Sequence, residues 1–241
     1  MLTMRHPVRT ALRLVLGLVI LALVYTCHTT KQGPEAVARQ WASDVGLVHA
    51  PVNSASSYAF ESTYGTPSTP TRWSDCSDIS YEVNLTHAPA NALTVLNAEL
   101  SRVHALTGLS FTYAGSAPAV NFATYDASGV PAPVIFAWEP ANHLLGALNV
   151  NATTIPIVNP SHANYVSAIV LFNDDMNAFF VKDPIFAANL VLHEIGHVVG
   201  LSDVNDPTQV MNASLSPSVT SDALGAGDLA GLRLLGTSGC S

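Results

Sequence analysis

From position 193 to position 203 the chain reads HEIGHVVGLSD, and this stretch decides both the fold and the chemistry. It predicts the end of a helix, on which His193 and His197 project to one side because they are four residues apart. Two neutral imidazoles so placed can share one metal ion, and they suit Zn²⁺. Gly200 is expected to end the helix and turn the backbone sharply, which would return Asp203 to the metal as a third, oxygen ligand.

Glu194 follows the first histidine and would lie beside the metal without binding it. A carboxylate in that position can take a proton from a zinc-bound water. Three protein ligands leave the fourth position for that water, as in catalytic zinc sites. The alternative for Asp203 is that it only caps the helix end or forms a nearby hydrogen bond.

Strands and helices alternate before this stretch, and a helix follows it. Residues 79–84 alternate apolar and polar side chains and predict a strand. An amphipathic helix follows Pro89 and stops at Gly108, and its apolar stripe contains Leu93, Leu96, Leu100, Val103 and Leu106. Further strands are expected at 109–113, 134–138 and 168–172, and further helices at about 185–199 and 227–235. This order is typical of an α+β or α/β fold.

The N-terminus has the pattern of an export signal. Arg5, Arg9 and Arg13 precede an uninterrupted apolar run from Leu14 to Tyr25. We therefore expect a secreted protein, or alternatively one that is anchored by an uncleaved N-terminal segment and faces outward. The expected organisation is a signal peptide or anchor at 1–27, a linker or short pro-region at 28–70, and a catalytic domain at 71–241.

If the protein is exported, its cysteines can form a disulfide, because disulfides persist outside the cytoplasm. Of the three cysteines, Cys27 belongs to the leader, which leaves Cys76 and Cys240 as a natural pair. The chain-entropy model assigns such a long loop an upper figure of roughly 5 kcal/mol. The alternative is two free thiols.

The composition excludes several classes of protein. Hydrophobic residues make up 49% of the chain and charged residues 11%, which argues against disorder. The net charge is −8, and residues after the leader hold six basic and 17 acidic side chains. Since a basic stripe is lacking, we expect no nucleic-acid partner. A membrane would be contacted only through the N-terminal segment, if that segment is uncleaved.

The stretch from His193 to Asp203 resembles the zinc signature of the metzincin metalloproteases. Pro207 and Met211 fall where matrixin-type metzincins carry a proline and the methionine of their Met-turn, and residues 228–232 look like part of the matrixin C-terminal helix. Matrixins normally place histidine at the third-ligand position, whereas snapalysin-like metzincins use aspartate, as here at Asp203. Other segments resemble secreted actinobacterial matrixin-like proteases, namely Arg72-Trp73-Ser74-Asp75-Cys76, Val83-Asn84 and Thr107-Gly108-Leu109-Ser110-Phe111.

The resemblance covers about residues 71–240 and implies a metzincin fold. That fold is a twisted, mixed five-stranded sheet with three helices, in which the active-site helix is followed by a Met-turn and a C-terminal helix. In it, Met211 forms an apolar floor beneath the histidines without binding the metal. The segment from Asn212 to Ser221 would form the wall of the substrate pocket.

The expected function is therefore a secreted zinc endopeptidase that hydrolyses peptide bonds with a water activated by Glu194. The partner would be a protein or peptide, bound extended along a sheet edge, and the enzyme would be a monomer. One catalytic Zn²⁺ is expected. Asp174-Asp175 could bind a structural calcium, but nothing else in the sequence supports one. The alternatives are a catalytically silent zincin-fold binding module and a zinc hydrolase of a non-protein substrate.

Overall fold

The computed structural model describes residues 53–65, 69–74, 78–120, 133–144, 150–159, 163–215 and 221–236, all within one compact unit that begins at Asn53. In these ranges the strands are β1 (Ala59–Phe60), β2 (Thr63–Tyr64), β3 (Thr69–Pro70), β4 (Arg72–Trp73), β5 (Asp78–Asn84), β6 (Ser110–Ser116), β7 (Val134–Glu139), β8 (Ala152–Val158), β9 (Asn164–Asn173) and β10 (Leu201–Ser202). The α-helices are α1 (Ala92–Thr107), α2 (Asn177–Lys182), α3 (Pro184–Val199) and α4 (Ala226–Leu235).

Six of these strands form one mixed, mostly parallel sheet in the order β4-β9-β7-β5-β6, with β8 also paired to β9. Every pair in it is parallel except β8 with β9, which is antiparallel. The fold is thus mixed α/β, as expected in general terms. The described residues hold six sheet strands where five were expected and four α-helices where three were expected. The extra elements include β4 and α2, which are too short to show a periodicity.

The sheet is buried on both faces. In β7 and β9 alternate residues enter two separate apolar clusters: Phe136 and Phe172 belong to the larger one, and Ala137 and Leu171 to the smaller one. Strand side chains alternate between the two faces of a sheet, so these clusters lie on opposite sides. The central strands are consequently apolar along their length, as is typical of parallel sheets.

Helices α1 and α3 pack against each other and share the larger cluster. The predicted apolar stripe of α1 is confirmed, since Leu96, Leu100 and Val103 are buried. Helix α1 ends at Gly108, as the sequence predicts. The large apolar residues Trp138 and Phe172 stack in the same cluster, with ring centroids 4.7 Å apart.

Residues 53–65 and 69–70, which lie in the expected linker or pro-region, carry three short strands. Strand β1 pairs antiparallel with β10, which directly follows α3. This segment packs closely against helix α4 at two glycines. A Cβ on Gly227 would collide with the carbonyl of Ser57, and a Cβ on Gly231 would lie 3.1 Å from Tyr58 Cβ. The segment therefore packs on the same elements that carry the predicted site.

Several expectations fall outside the described residues. They are the leader at 1–27 and the pairing of Cys76 with Cys240. Among the residues that the structure describes, we find no helix with both the length and the apolar character needed to cross a membrane.

Candidate metal centre and active site

Helix α3 carries the three central residues of the site, which are His193, Glu194 and His197. Its first turn is fixed by Asp183, whose side chain accepts a hydrogen bond from the backbone N–H of Phe186 at 3.0 Å, and by Pro184 at the first helical position. Almost every side chain from Phe186 onward is buried. His193, Glu194 and His197 are therefore buried polar groups on a mostly apolar helix, and such groups need partners.

Gly200 ends the helix and redirects the chain. Its φ of +115° lies in the region that side-chain-bearing residues avoid, and a Cβ there would lie 2.8 Å from the ring of Tyr165. The turn brings Asp203 Oδ1 to 3.4 Å from Nε2 of His193 and to 3.7 Å from Nε2 of His197. The structure thus brings together the three residues that the sequence proposes as metal ligands.

The two histidine rings are held by backbone carbonyl groups. Nδ1 of His193 donates to the carbonyl of Val210 at 2.8 Å, and Nδ1 of His197 donates to that of Leu201 at 2.9 Å. These contacts favour the proton on Nδ1, so that a bound metal would meet the lone pairs of the two Nε2 atoms, which lie 3.1 Å apart. The rings are therefore oriented for metal binding by groups that do not themselves touch the metal.

The spacing of the three donor atoms fits a single tetrahedral ion. The separations are 3.1, 3.4 and 3.7 Å, and ligands bound tetrahedrally at zinc distances lie about 3.4 Å from one another. Two imidazoles and a carboxylate form a donor set compatible with Zn²⁺. This His193, His197 and Asp203 group could hold a metal ion, and half of the Asp203 side chain is open to solvent.

Glu194 points to the same cleft and has a partner that sequence reasoning missed. The hydroxyl of Thr154, on strand β8, donates a hydrogen bond of 2.6 Å to Glu194 Oε2. Strand β8 itself was not predicted, because its sequence shows no alternation of apolar and polar residues and contains Pro156, a residue that argues against a strand. The β-branched residues of that stretch were the available signal.

Glu61 is the second missed residue. Its Oε1 lies 2.9 Å from Nδ1 of His197, the same nitrogen that faces Leu201. Burial alone would lower the pKa of His197, but the hydrogen bond to Glu61 and the charges of Glu194, Glu61 and Asp203 outweigh it and raise that pKa to about 9. No local pattern around Glu61 predicts this contact, since it depends on the pairing of β1 with β10.

Met211 lies beneath the helix, against Gly196. A Cβ at position 196 would collide with the Met211 sulfur, so glycine is what allows this close approach. Asp228 holds the segment from the other side, accepting hydrogen bonds from the backbone N–H groups of Val210 at 2.6 Å, Gly225 at 2.9 Å and Met211 at 3.2 Å. Burial raises the pKa of Asp228, and these hydrogen bonds offset part of that rise.

A cavity of about 490 Å³ opens above the three candidate ligands. Residues 150–154 line one side of it and residues 213–215 line another. A second cavity of about 530 Å³ shares Ser214 and Leu215 with the first and is bounded by Asn189 and Ser221. Described parts of the segment expected to form the pocket wall, from Asn212 to Ser221, therefore do border a cavity next to the candidate metal centre.

Asp174 and Asp175, which the sequence offers as an unsupported calcium site, do not belong to this group. Asp174 and Asp175 are in a short 3₁₀ turn, where the Asn173 side chain accepts from the backbone N–H of Asp175 at 3.0 Å. Among the described residues they belong to no group of three potential ligands.

The chain was also compared with known proteins. No model of a known protein family matches the chain. No curated protein matches it either.

Proposed function

We propose that this protein is a secreted, zinc-dependent endopeptidase of metzincin type. The observation that carries the proposal is the convergence of His193, His197 and Asp203 at tetrahedral spacing, with Glu194 in the same cavity. His193, His197 and Asp203 would hold the ion. Bound Zn²⁺ would supply a Lewis acid that polarises the scissile carbonyl and lowers the pKa of a water.

Glu194 is the group that moves the proton in this proposal. Its carboxylate would accept a proton from the attacking water and then deliver it to the amine that leaves when the C–N bond breaks. Thr154 would hold Oε2 of that carboxylate in place. Because Glu194 is buried, bulk water competes little for this hydrogen bond.

The substrate would bind as an extended chain along β8. This strand pairs only with β9 in the described sheet, and its first residues line the cavity. A strand at the edge of a sheet can align an extended peptide through backbone N–H and C=O groups. Such binding uses the main chain, which every peptide has, and therefore favours a protein substrate over a small non-protein one.

The metzincin type is supported by the residues below and behind the site. Met211 forms an apolar floor under α3, and Asp228 of α4 ties that floor to the C-terminal helix. The antiparallel β8 borders the cleft beside an otherwise parallel sheet. Secretion through the leader and a disulfide between Cys76 and Cys240 complete the proposal.

The test is hydrolysis of an unstructured protein such as denatured casein by the wild type, by Glu194→Ala and by the chelator-treated wild type. Loss of a general base costs about 10²–10⁴-fold in rate. Glu82→Ala, which removes a carboxylate from β5, is the matched control and should leave the rate unchanged. Equal rates in wild type, Glu194→Ala and chelated samples would refute the proposal.

Two further outcomes would identify the alternatives. Zinc bound without cleavage of any substrate would indicate a binding module. Hydrolysis of a small ester that depends on Glu194, without proteolysis, would indicate a hydrolase of non-protein substrates.

A further inference from the structure

We propose that Glu61 is a positioning residue of the metal centre, which fixes the tautomer and the orientation of His197. The inference rests on the proposed function only in that it takes the centre to bind Zn²⁺. It assigns a role at the metal to a residue in the stretch that the sequence marks as a linker or pro-region.

The backbone around Glu61 is anchored to the end of the active-site helix. Its N–H donates to the carbonyl of Gly200 at 2.9 Å. The preceding pair of residues, Ala59 and Phe60, is hydrogen-bonded in register to Ser202 and Leu201. The backbone of Glu61 is therefore positioned by the turn after Gly200, which also brings Asp203 to the histidines.

Because of Glu61, the Nδ1 atoms of the two histidines have different partners. Nδ1 of His193 has the carbonyl of Val210 as its partner, whereas Nδ1 of His197 faces both the carbonyl of Leu201 and the carboxylate of Glu61. The carboxylate contact of 2.9 Å lies on the nitrogen that does not face the other ligands. Glu61 thus acts through His197 and is not itself a ligand.

The chemistry of this arrangement favours metal binding. A carboxylate that accepts the Nδ1 proton fixes the tautomer in which Nε2 is the metal-binding atom, and it increases the electron density that Nε2 offers to a cation. It also restrains rotation of the ring. Only 28% of the Glu61 side chain is exposed, so water screens this interaction weakly.

The test measures the dissociation constant of Zn²⁺ by chelator competition at one pH, on the full-length wild type and on Glu61→Ala. Removing such a partner typically weakens metal affinity about 10–100-fold. Glu61→Gln keeps an acceptor oxygen without the charge and should fall between the two. Asp78→Asn removes an exposed carboxylate at the start of β5 and is the matched control for charge, with an expected change of about twofold or less.

The visible absorption spectrum of Co²⁺ bound in place of Zn²⁺ supplies a readout that a general loss of stability would not change. We expect Glu61→Ala to alter it, because Nδ1 of His197 loses one of its two partners and keeps only the carbonyl of Leu201, and we expect Glu61→Gln to restore it in part. If Glu61→Ala does not fold, as judged by its thermal transition, Glu61→Gln decides the matter alone.

The outcomes separate this inference from the proposed function. Wild-type zinc affinity and an unchanged cobalt spectrum in folded Glu61→Ala and Glu61→Gln would overturn the inference, and proteolysis could still be found. Zinc binding that depends on Glu61 in a protein that cleaves nothing would support the inference and refute the protease. A wild type that binds no Zn²⁺ would overturn both.

Discussion

Thr154 and Glu194 are joined by a short hydrogen bond, 2.6 Å from hydroxyl to carboxylate, across the cleft between strand β8 and helix α3. The bond links the strand that would bind a substrate to the residue that would move its proton. A displacement of β8 would therefore change the position of the Glu194 carboxylate, and a displacement of α3 would act on β8 through the same bond.

The first prediction concerns this bond. Thr154→Val keeps the shape of the side chain but removes the donor, and hydrogen bonds to charged groups are worth about 1.5–3 kcal/mol. We expect kcat to fall about 10–100-fold with unchanged zinc content, and Thr154→Ser to recover most of the loss. Steady-state kinetics on a fluorogenic peptide would measure this, and wild-type kcat in Thr154→Val would contradict it.

The second prediction concerns Asp228, which accepts three backbone hydrogen bonds while 1% exposed. Asp228→Ala leaves these N–H groups without their acceptor, and we expect a loss of about 3–5 kcal/mol in the free energy of unfolding. Asp228→Asn retains one oxygen and should lose less. Urea denaturation measures both, with Asp78→Asn as a surface control, and a loss below about 1 kcal/mol in Asp228→Ala would argue against this bracing role.

The third prediction concerns pH. His197 has its pKa raised to about 9 in the metal-free fold, above the ordinary value of 6.5. Its contribution to stability is full below pH 6.5 and is lost as the pH rises through about 9. A metal needs the neutral imidazole, so zinc affinity should instead rise about tenfold per pH unit and level off near pH 9.

Thermal unfolding of the metal-free protein and zinc titrations across this pH range would test these opposite slopes. His104→Gln, which alters a histidine of α1 outside the site, should retain both. Zinc affinity that is independent of pH between 6.5 and 9 would contradict the prediction.

How much of the fold and of the site the sequence predicts depends on how far apart the interacting residues lie along the chain. His193, His197 and Asp203 are close in the chain, so helix periodicity and one glycine suffice to place them together. Thr154 and Glu61 reach the site through strand pairing, and strands as short as β1 leave no periodic signal. The two-residue β4 and the six-residue α2 were not predicted for the same reason.

The fourth prediction follows from the residues before position 71, where the sequence suggests that the domain starts. The compact unit begins at Asn53, and β1 and Glu61 belong to it. A fragment of residues 53–241 should fold and bind zinc like the full chain. A fragment of residues 71–241 lacks Phe60, and the core residues that Phe60 covers become exposed. Its free energy of unfolding should fall by at least about 2 kcal/mol, and it should bind zinc more weakly. Equal melting temperatures of the two fragments would contradict this.

The contact between Gly196 and the Met211 sulfur has a consequence for oxidative damage. Oxidation to the sulfoxide adds a polar oxygen to a thioether that already fills the space beneath the helix. Since Met211 is 3% exposed, peroxide reaches the sulfur only when the segment opens. The rate at which peroxide inactivates the protein therefore reports how often the floor of the site opens, and a ligand that closes the site should protect against it.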